Sequence, residues 1–263
     1  MISHKKEIKQ IINPTEKIFF RDTEKHEKNS TKNYSLNYFN SISRYYSSLR
    51  DTGPINPIAI ADCLALQLAD SIMEKITTER VMSSPDNSLG DEFYSRLAAS
   101  TSELTGIIDT ELLVIFLKQM VNILRSGNLI AQKNSQVYVT ELFTTKDKLY
   151  PRLLRSFWNE CDWRVIFPSS PEAAEMIHDN RESFLELVKG VMAETSVEDI
   201  ANDFFNTSGI CEANDYFMIS FIDFYLLTWL KHFGIIEYNI KGDHEIVYIS
   251  ISDYGRKVLN SLL

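Results

Sequence analysis

The sequence is poor in the features that carry chemistry. Its nine glycines stand at 53, 90, 106, 127, 190, 209, 234, 242 and 255, no two closer than eight residues. That spacing excludes the dinucleotide-binding glycine fingerprint, the phosphate-binding P-loop and the G-x-S-x-G nucleophile elbow. Three cysteines, Cys63, Cys161 and Cys211, lie far apart and form no C-x-x-C. An odd, sparse set reads as reduced thiols in a cytoplasmic protein rather than a disulfide framework. His178, His232 and His244 make no H-E-x-x-H, and no Cys/His spacing suits zinc. Neither a metal nor a cofactor is expected.

Positive charge is also scarce. Lys and Arg number 27 against 36 Asp and Glu, a net charge of −9. Residues 1–32 hold eight basic and five acidic side chains, so the remaining chain carries −12. That balance argues against general affinity for nucleic acid or an anionic membrane, while leaving room for a local patch. Long apolar runs are missing too. The most apolar stretch, Tyr216 to Leu230, is broken by Asp223 and is too short to span a bilayer. The basic start, Met1 to Lys9, leads into no apolar run of signal-peptide length. These absences predict a soluble, cytoplasmic protein with no membrane partner.

What is present is core material. An apolar fraction of 44% with 24% charged residues is a globular rather than a disordered composition. A chain of 263 residues is long enough for one large domain or two ordinary ones. Residues 1–50 read as a partly flexible N-terminal extension, polar over 21–33 and aromatic-rich from Tyr34 to Leu49. Asp51 to Pro57 then breaks the chain.

From there a pattern runs twice. In residues 51–147, Pro57 opens a helix to about Thr77, with Ile60, Leu64, Leu68 and Ile72 on one face. A shorter helix spans Asp91 to about Ser100. Thr110 caps a third, which ends at Arg125-Ser-Gly127 with the glycine supplying a left-handed turn. Two strands, Leu129 to Gln132 and Val137 to Thr140, form a small wing. In residues 171–263 the order returns: a long helix from Glu172 to about Ala193, then Val197 to Phe205 capped by Ser196 and stopped at Gly209. Asn214 to Phe233 follows, stopped at Gly234, and then a second hairpin turning at Lys241 to His244. Leu124-Arg-Ser-Gly-Asn-Leu-Ile130 echoes Leu230-Lys-His-Phe-Gly-Ile-Ile236, and Val137-Tyr-Val-Thr140 echoes Val247-Tyr-Ile-Ser250. Between the copies, residues 148–170 read as a linker helix in which Phe157, Trp158, Trp163 and Phe167 supply packing area. The predicted fold class is mostly α with small β-hairpins (α+β), as two tandem modules joined by that helix.

Phe233-Gly-Ile-Ile-Glu237, a hairpin, and then Ile251-Ser-Asp-Tyr-Gly-Arg256 resemble winged helix-turn-helix modules of bacterial and archaeal regulators, whose matching phrases tend to be F-G-L-I-E and L-T-x-x-G. The resemblance covers about thirty residues well and its counterpart at 110–140 loosely. It implies a winged-helix fold, which in some proteins reads DNA and in others only binds protein.

A DNA reader needs polar side chains on its third helix, flanked by Lys and Arg on phosphate. Tyr216 to Lys231 offers one basic group, Lys231, and one acidic one, Asp223. Its apolar surface predicts burial on two sides, by its own module and by something else. Candidate phosphate contacts are Arg152, Arg155 and Arg164 on the linker, with Lys231 and Lys241. Candidate protein-contact residues are Phe217, Phe221, Phe224 and Trp229. His232, Asp243 and His244 fall where the helix meets the wing, and such a set suits a metal or a proton shuttle. A histidine at a helix end and an Asp/His pair in a turn are also ordinary. No catalytic residue is assigned. The leading expectation is therefore a non-enzymatic protein acting by protein contact or as a homodimer. A DNA-binding transcriptional regulator and an enzyme or ligand-binding protein with a site between the modules are the alternatives.

Overall fold

Helices form where apolar residues recur at intervals of three and four, and short antiparallel hairpins form where turn residues separate alternating runs. The computed structural model describes residues 63–84, 88–105, 107, 109–141, 143, 145–168, 171–191, 194–209, 222–241 and 246–262. Over these the fold is mostly α with small antiparallel hairpins, an α+β arrangement.

The first half opens with α1 (Leu64–Thr78), which buries Leu68, Ile72 and Ile76. Pro57, expected to open this helix, lies outside the described residues. α2 (Asp91–Thr105) carries Asp91 and Glu92 in its first turn, where the helix dipole favours acid. α3 (Thr110–Ser126) is capped by Asp109, whose carboxylate accepts from the Leu112 amide, and not by Thr110 as expected. The hairpin of β1 (Ile130–Lys133) and β2 (Gln136–Val139) turns through Asn134 and Ser135, both at positive φ. That is the geometry whose twist suits a two-residue hairpin. Met82 bridges Gln136, so residues beside it form a third edge next to β2.

The connecting segment is α4 (Lys146–Arg155), a π-helical stretch (Ser156–Glu160) and the short α5 (Trp163–Ile166). Phe157, Trp158, Trp163 and Phe167 are all buried, as packing material rather than a ligand platform.

The second half begins with α6 (Pro171–Asp179) and α7 (Arg181–Gly190), two helices where one long helix was expected. They break at Asn180, whose side-chain amide donates to the Met176 carbonyl and so competes with the helical ladder. β3 (Thr195–Ser196) leads into α8 (Val197–Ser208), capped by Ser196 and closed by left-handed Gly209, as expected. A second π-helical stretch (Ile222–Leu227) runs into α9 (Thr228–His232), then β4 (Ile236–Lys241), β5 (Ile246–Ile251) and α10 (Asp253–Leu262). Of the expected helix from Asn214, residues 214–221 lie outside the described residues. β5 is central, with β3 on one side and β4 on the other. The first hairpin has the same order, with Met82 beside β2 and β2 beside β1.

α3 and α9 close alike. Leu129 N–H donates to Leu124 O at 2.8 Å and Ile235 N–H to Leu230 O at 2.9 Å, with Asn128 and Gly234 in the left-handed position between. Gly127 therefore does not supply the left-handed turn, because its φ is −76. Its lack of a side chain serves another need: a Cβ there would lie 2.8 Å from Ser156 Oγ. Gly255 is tighter still, since its Cβ would lie 2.0 Å from the Ile235 carbonyl oxygen. Ser252, whose hydroxyl accepts from the Gly255 amide and donates to Gly234 O, pins α10 against that strand start.

Candidate functional site: the seam between the halves

The apolar core runs without interruption from the first half through the connecting segment into the second. Two side chains of α4 hold the ends of α3 and α9. The Arg152 guanidinium donates to Gly127 O at the end of α3. The Tyr150 hydroxyl donates to Phe233 O at the end of α9, at 2.7 Å. Gly127 and Phe233 occupy the same place in the two echoing segments, so one helix grips two equivalent carbonyls. The Tyr150 phenol, buried and beside Tyr254, is pushed far above its ordinary pKa and stays protonated as a donor.

Between those ends lies an aromatic stack. Trp163 stacks on Phe157 at 5.3 Å and Phe157 on Trp229 at 5.6 Å. Trp229 also meets Phe116 of α3 edge-on, and its indole N–H donates to Gln119 Oε1 at 2.9 Å. A buried indole N–H needs such an acceptor, and α3 supplies it across 110 residues of chain.

His232 fills the remaining gap, edge-on to Phe116 at 4.5 Å and to Trp229 at 5.2 Å. Both ring nitrogens are buried with no hydrogen-bond partner. Burial, helped by the neighbouring Lys231 charge, lowers its pKa to about 3, so the ring is neutral at pH 7. Burial likewise lowers Lys231 to about 8, and its ammonium lies 5.3 Å over the Tyr238 ring. The thiols of Cys63 and Cys161 are buried and raised to about 11, so neither is a thiolate near neutrality.

The sequence-based candidates fall in three places. Arg152 and Arg155 both pair with Glu160, at 2.6 and 3.4 Å, while Arg164 pairs with Asp162 at 2.9 Å and Glu175 at 3.0 Å. The linker arginines thus sit among their own carboxylates. Lys231 lies beside the seam, and the side chain of Lys241 is outside the described residues. Phe217, Phe221, Asp243 and His244 are outside them as well, as is the Phe224 side chain. Trp229 corrects an expectation: at 1% exposure it offers no surface to a second protein, because α3 and the connecting segment cover it. The predicted second cover on the apolar third helix is, for these residues, the chain's own first half.

Sequence reasoning missed Gln119 and Tyr150, and gave Gly127 a role other than the close approach it makes. A polar Gln on an otherwise apolar arc of α3 was the available signal for the first. Among the described residues no group of three His, Cys, Asp or Glu side chains is placed to hold a metal. No described helix is long and apolar enough to cross a membrane. No protein-family model, curated protein or solved structure matches this chain.

Proposed function

We propose that the chain is a cytoplasmic, non-enzymatic protein of two winged-helix-like modules, residues 51–147 and 171–263, fused through 148–170, and that it acts by protein–protein contact as a homodimer. The observation that decides against the DNA-binding alternative is the enclosure of the stretch Ile222 to His232. Of the described side chains from Ile222 to Phe233, only Asp223 and Lys231 reach part-way to the surface. A helix so enclosed has no polar face to lay in a major groove.

The matching strand order in both halves supports the module reading: the isolated bridge at Met82, after α1, and β3, after α7, each lie beside the second strand of the following hairpin. Charge supports the preference for protein over DNA. The helix before the third, α8, exposes Glu198, Asp199 and Asp203, which repel phosphate. The buried free thiols of Cys63 and Cys161 accord with a reducing compartment. With Trp229 taken up internally, Phe217, Phe221 and Phe224 are the sequence's candidates for the dimer contact.

Light scattering on the full chain is expected to give twice the 30.3 kDa monomer mass. A monomer at every concentration overturns the dimer. Titration against mixed duplex at low salt is expected to show no binding at micromolar protein. Tight binding that weakens with salt would instead support the DNA-regulator reading.

A further inference from the structure

His232 alone among the described residues has every polar side-chain atom both buried and unpartnered. It sits where α9 meets α3, on the seam itself. A neutral ring is tolerated there as a flat, largely apolar wedge. An imidazolium is not, because it brings a full charge and a second N–H into a space with no acceptor.

The surroundings give that charge nothing to lean on. α3 presents Phe116, and the nearby Gln119 oxygen is engaged by the Trp229 indole. α9 presents Trp229 and the cation Lys231, which opposes a second positive charge. At the adjoining turn, Cys63 lies against Gly234 and keeps its proton. α4 reaches the seam through the neutral Tyr150 phenol on Phe233 O. Among the described residues no carboxylate pairs with the ring.

We infer that His232 is a proton-sensitive latch on the seam: neutral, it lets α9 lie against α3, and protonated, it forces the two apart and frees Trp229 from Gln119 and Phe157. This device does not depend on whether the chain binds protein or DNA. The sign follows from the depressed value in the closed form. An opened ring titrates near its ordinary 6.5, whereas the closed one resists to about 3. Closure is therefore fully favoured above pH 6.5 and is lost as pH falls through that window, the closed-to-open ratio dropping about tenfold per pH unit.

Hydrogen exchange read by mass spectrometry on the full chain, from pH 7.5 to 4.5 and corrected for intrinsic exchange, tests this. In the wild type, protection in α3, α4 and α9 is expected to fall before that in α8, together with a change in tryptophan emission. His232→Leu is expected to keep seam protection to at least one pH unit lower. His178→Gln is expected to follow the wild type, because His178 lies on Trp163, at the end of the stack farthest from Trp229, with Asp179 3.8 Å from its ring. Identical profiles for wild type and His232→Leu would overturn the latch, as would an equal shift in His178→Gln. Should His232→Leu not fold, the wild-type ring decides by NMR. Protonation that coincides with loss of seam protection supports the latch, and a ring titrating near 6.5 with the seam still protected overturns it.

Discussion

α3 and α9 end in the same backbone turn, yet the two helices live in different surroundings. α3 is buried over more than half its circumference and keeps a half-exposed strip with Val114, Ile115, Lys118 and Asn122. α9 and the π-helical stretch before it are enclosed almost throughout. The donors that α4 sends to the two helix ends match this contrast. The half-exposed end of α3 receives a guanidinium, which also pairs with Glu160, while the enclosed end of α9 receives a neutral phenol. A charge is affordable where water and a carboxylate share it, and a neutral donor serves where neither reaches. α3 acts as a platform and α9, with the π-helical stretch before it, as the insert pressed into it.

The contrast can be broken most strongly at the insert. Trp229→Ala is expected to cost ~3–5 kcal/mol in urea unfolding, from lost burial and a cavity between α3 and Phe157. Ile115→Ala on the strip of α3 is expected to cost ~1 kcal/mol or less, because that side chain is only partly buried. Equal losses would mean the two helices are not platform and insert.

Smaller differences are expected at the glycines. Gly255→Ala meets backbone at Ile235 that cannot yield without moving β4, so a cost of ~3 kcal/mol, the upper end for overpacking, is expected. Gly127→Ala meets a serine side chain instead and is expected to cost ~1–2 kcal/mol. Melting temperatures of the pair, in that order, check it. Least of all, Gly234→Ala should lose ~1–2 kcal/mol at a left-handed position, while Asn128→Gly at the equivalent turn should stay within ~0.5 kcal/mol of wild type. An unchanged Gly234→Ala would show that the two turns are not equivalent.

Much of the local structure was legible in the sequence. The Ser196 cap, the stops at Gly209 and Gly234 and both hairpins lie near where turn and capping chemistry predicts them, because each is decided within a few residues. The break at Asn180 and the two π-helical stretches were not legible, since the apolar spacing runs through them unbroken and helical periodicity says little about an inserted residue. Gly127 was misread because a glycine after a helix has two uses, a positive φ and a close approach, and only the position of Ser156 tells them apart. The seam was the hardest. The apolar excess around Trp229 announces that the helix is covered on a second side, but no spacing reveals whether the cover is another molecule or residues 116–119 of the same one.

The grip of α4 on two equivalent carbonyls has a consequence for how the chain comes apart. Two halves of one chain can in principle unfold separately. Here α4 is bonded to the end of α3 and to the end of α9, and its aromatic neighbours fill the space between them, so the loss of either helix is expected to unseat the other. Scanning calorimetry at neutral pH should then give one endotherm with equal calorimetric and van't Hoff enthalpies, and two resolved peaks would contradict it. Two matching helix ends gripped by one helix are then expected to let go together.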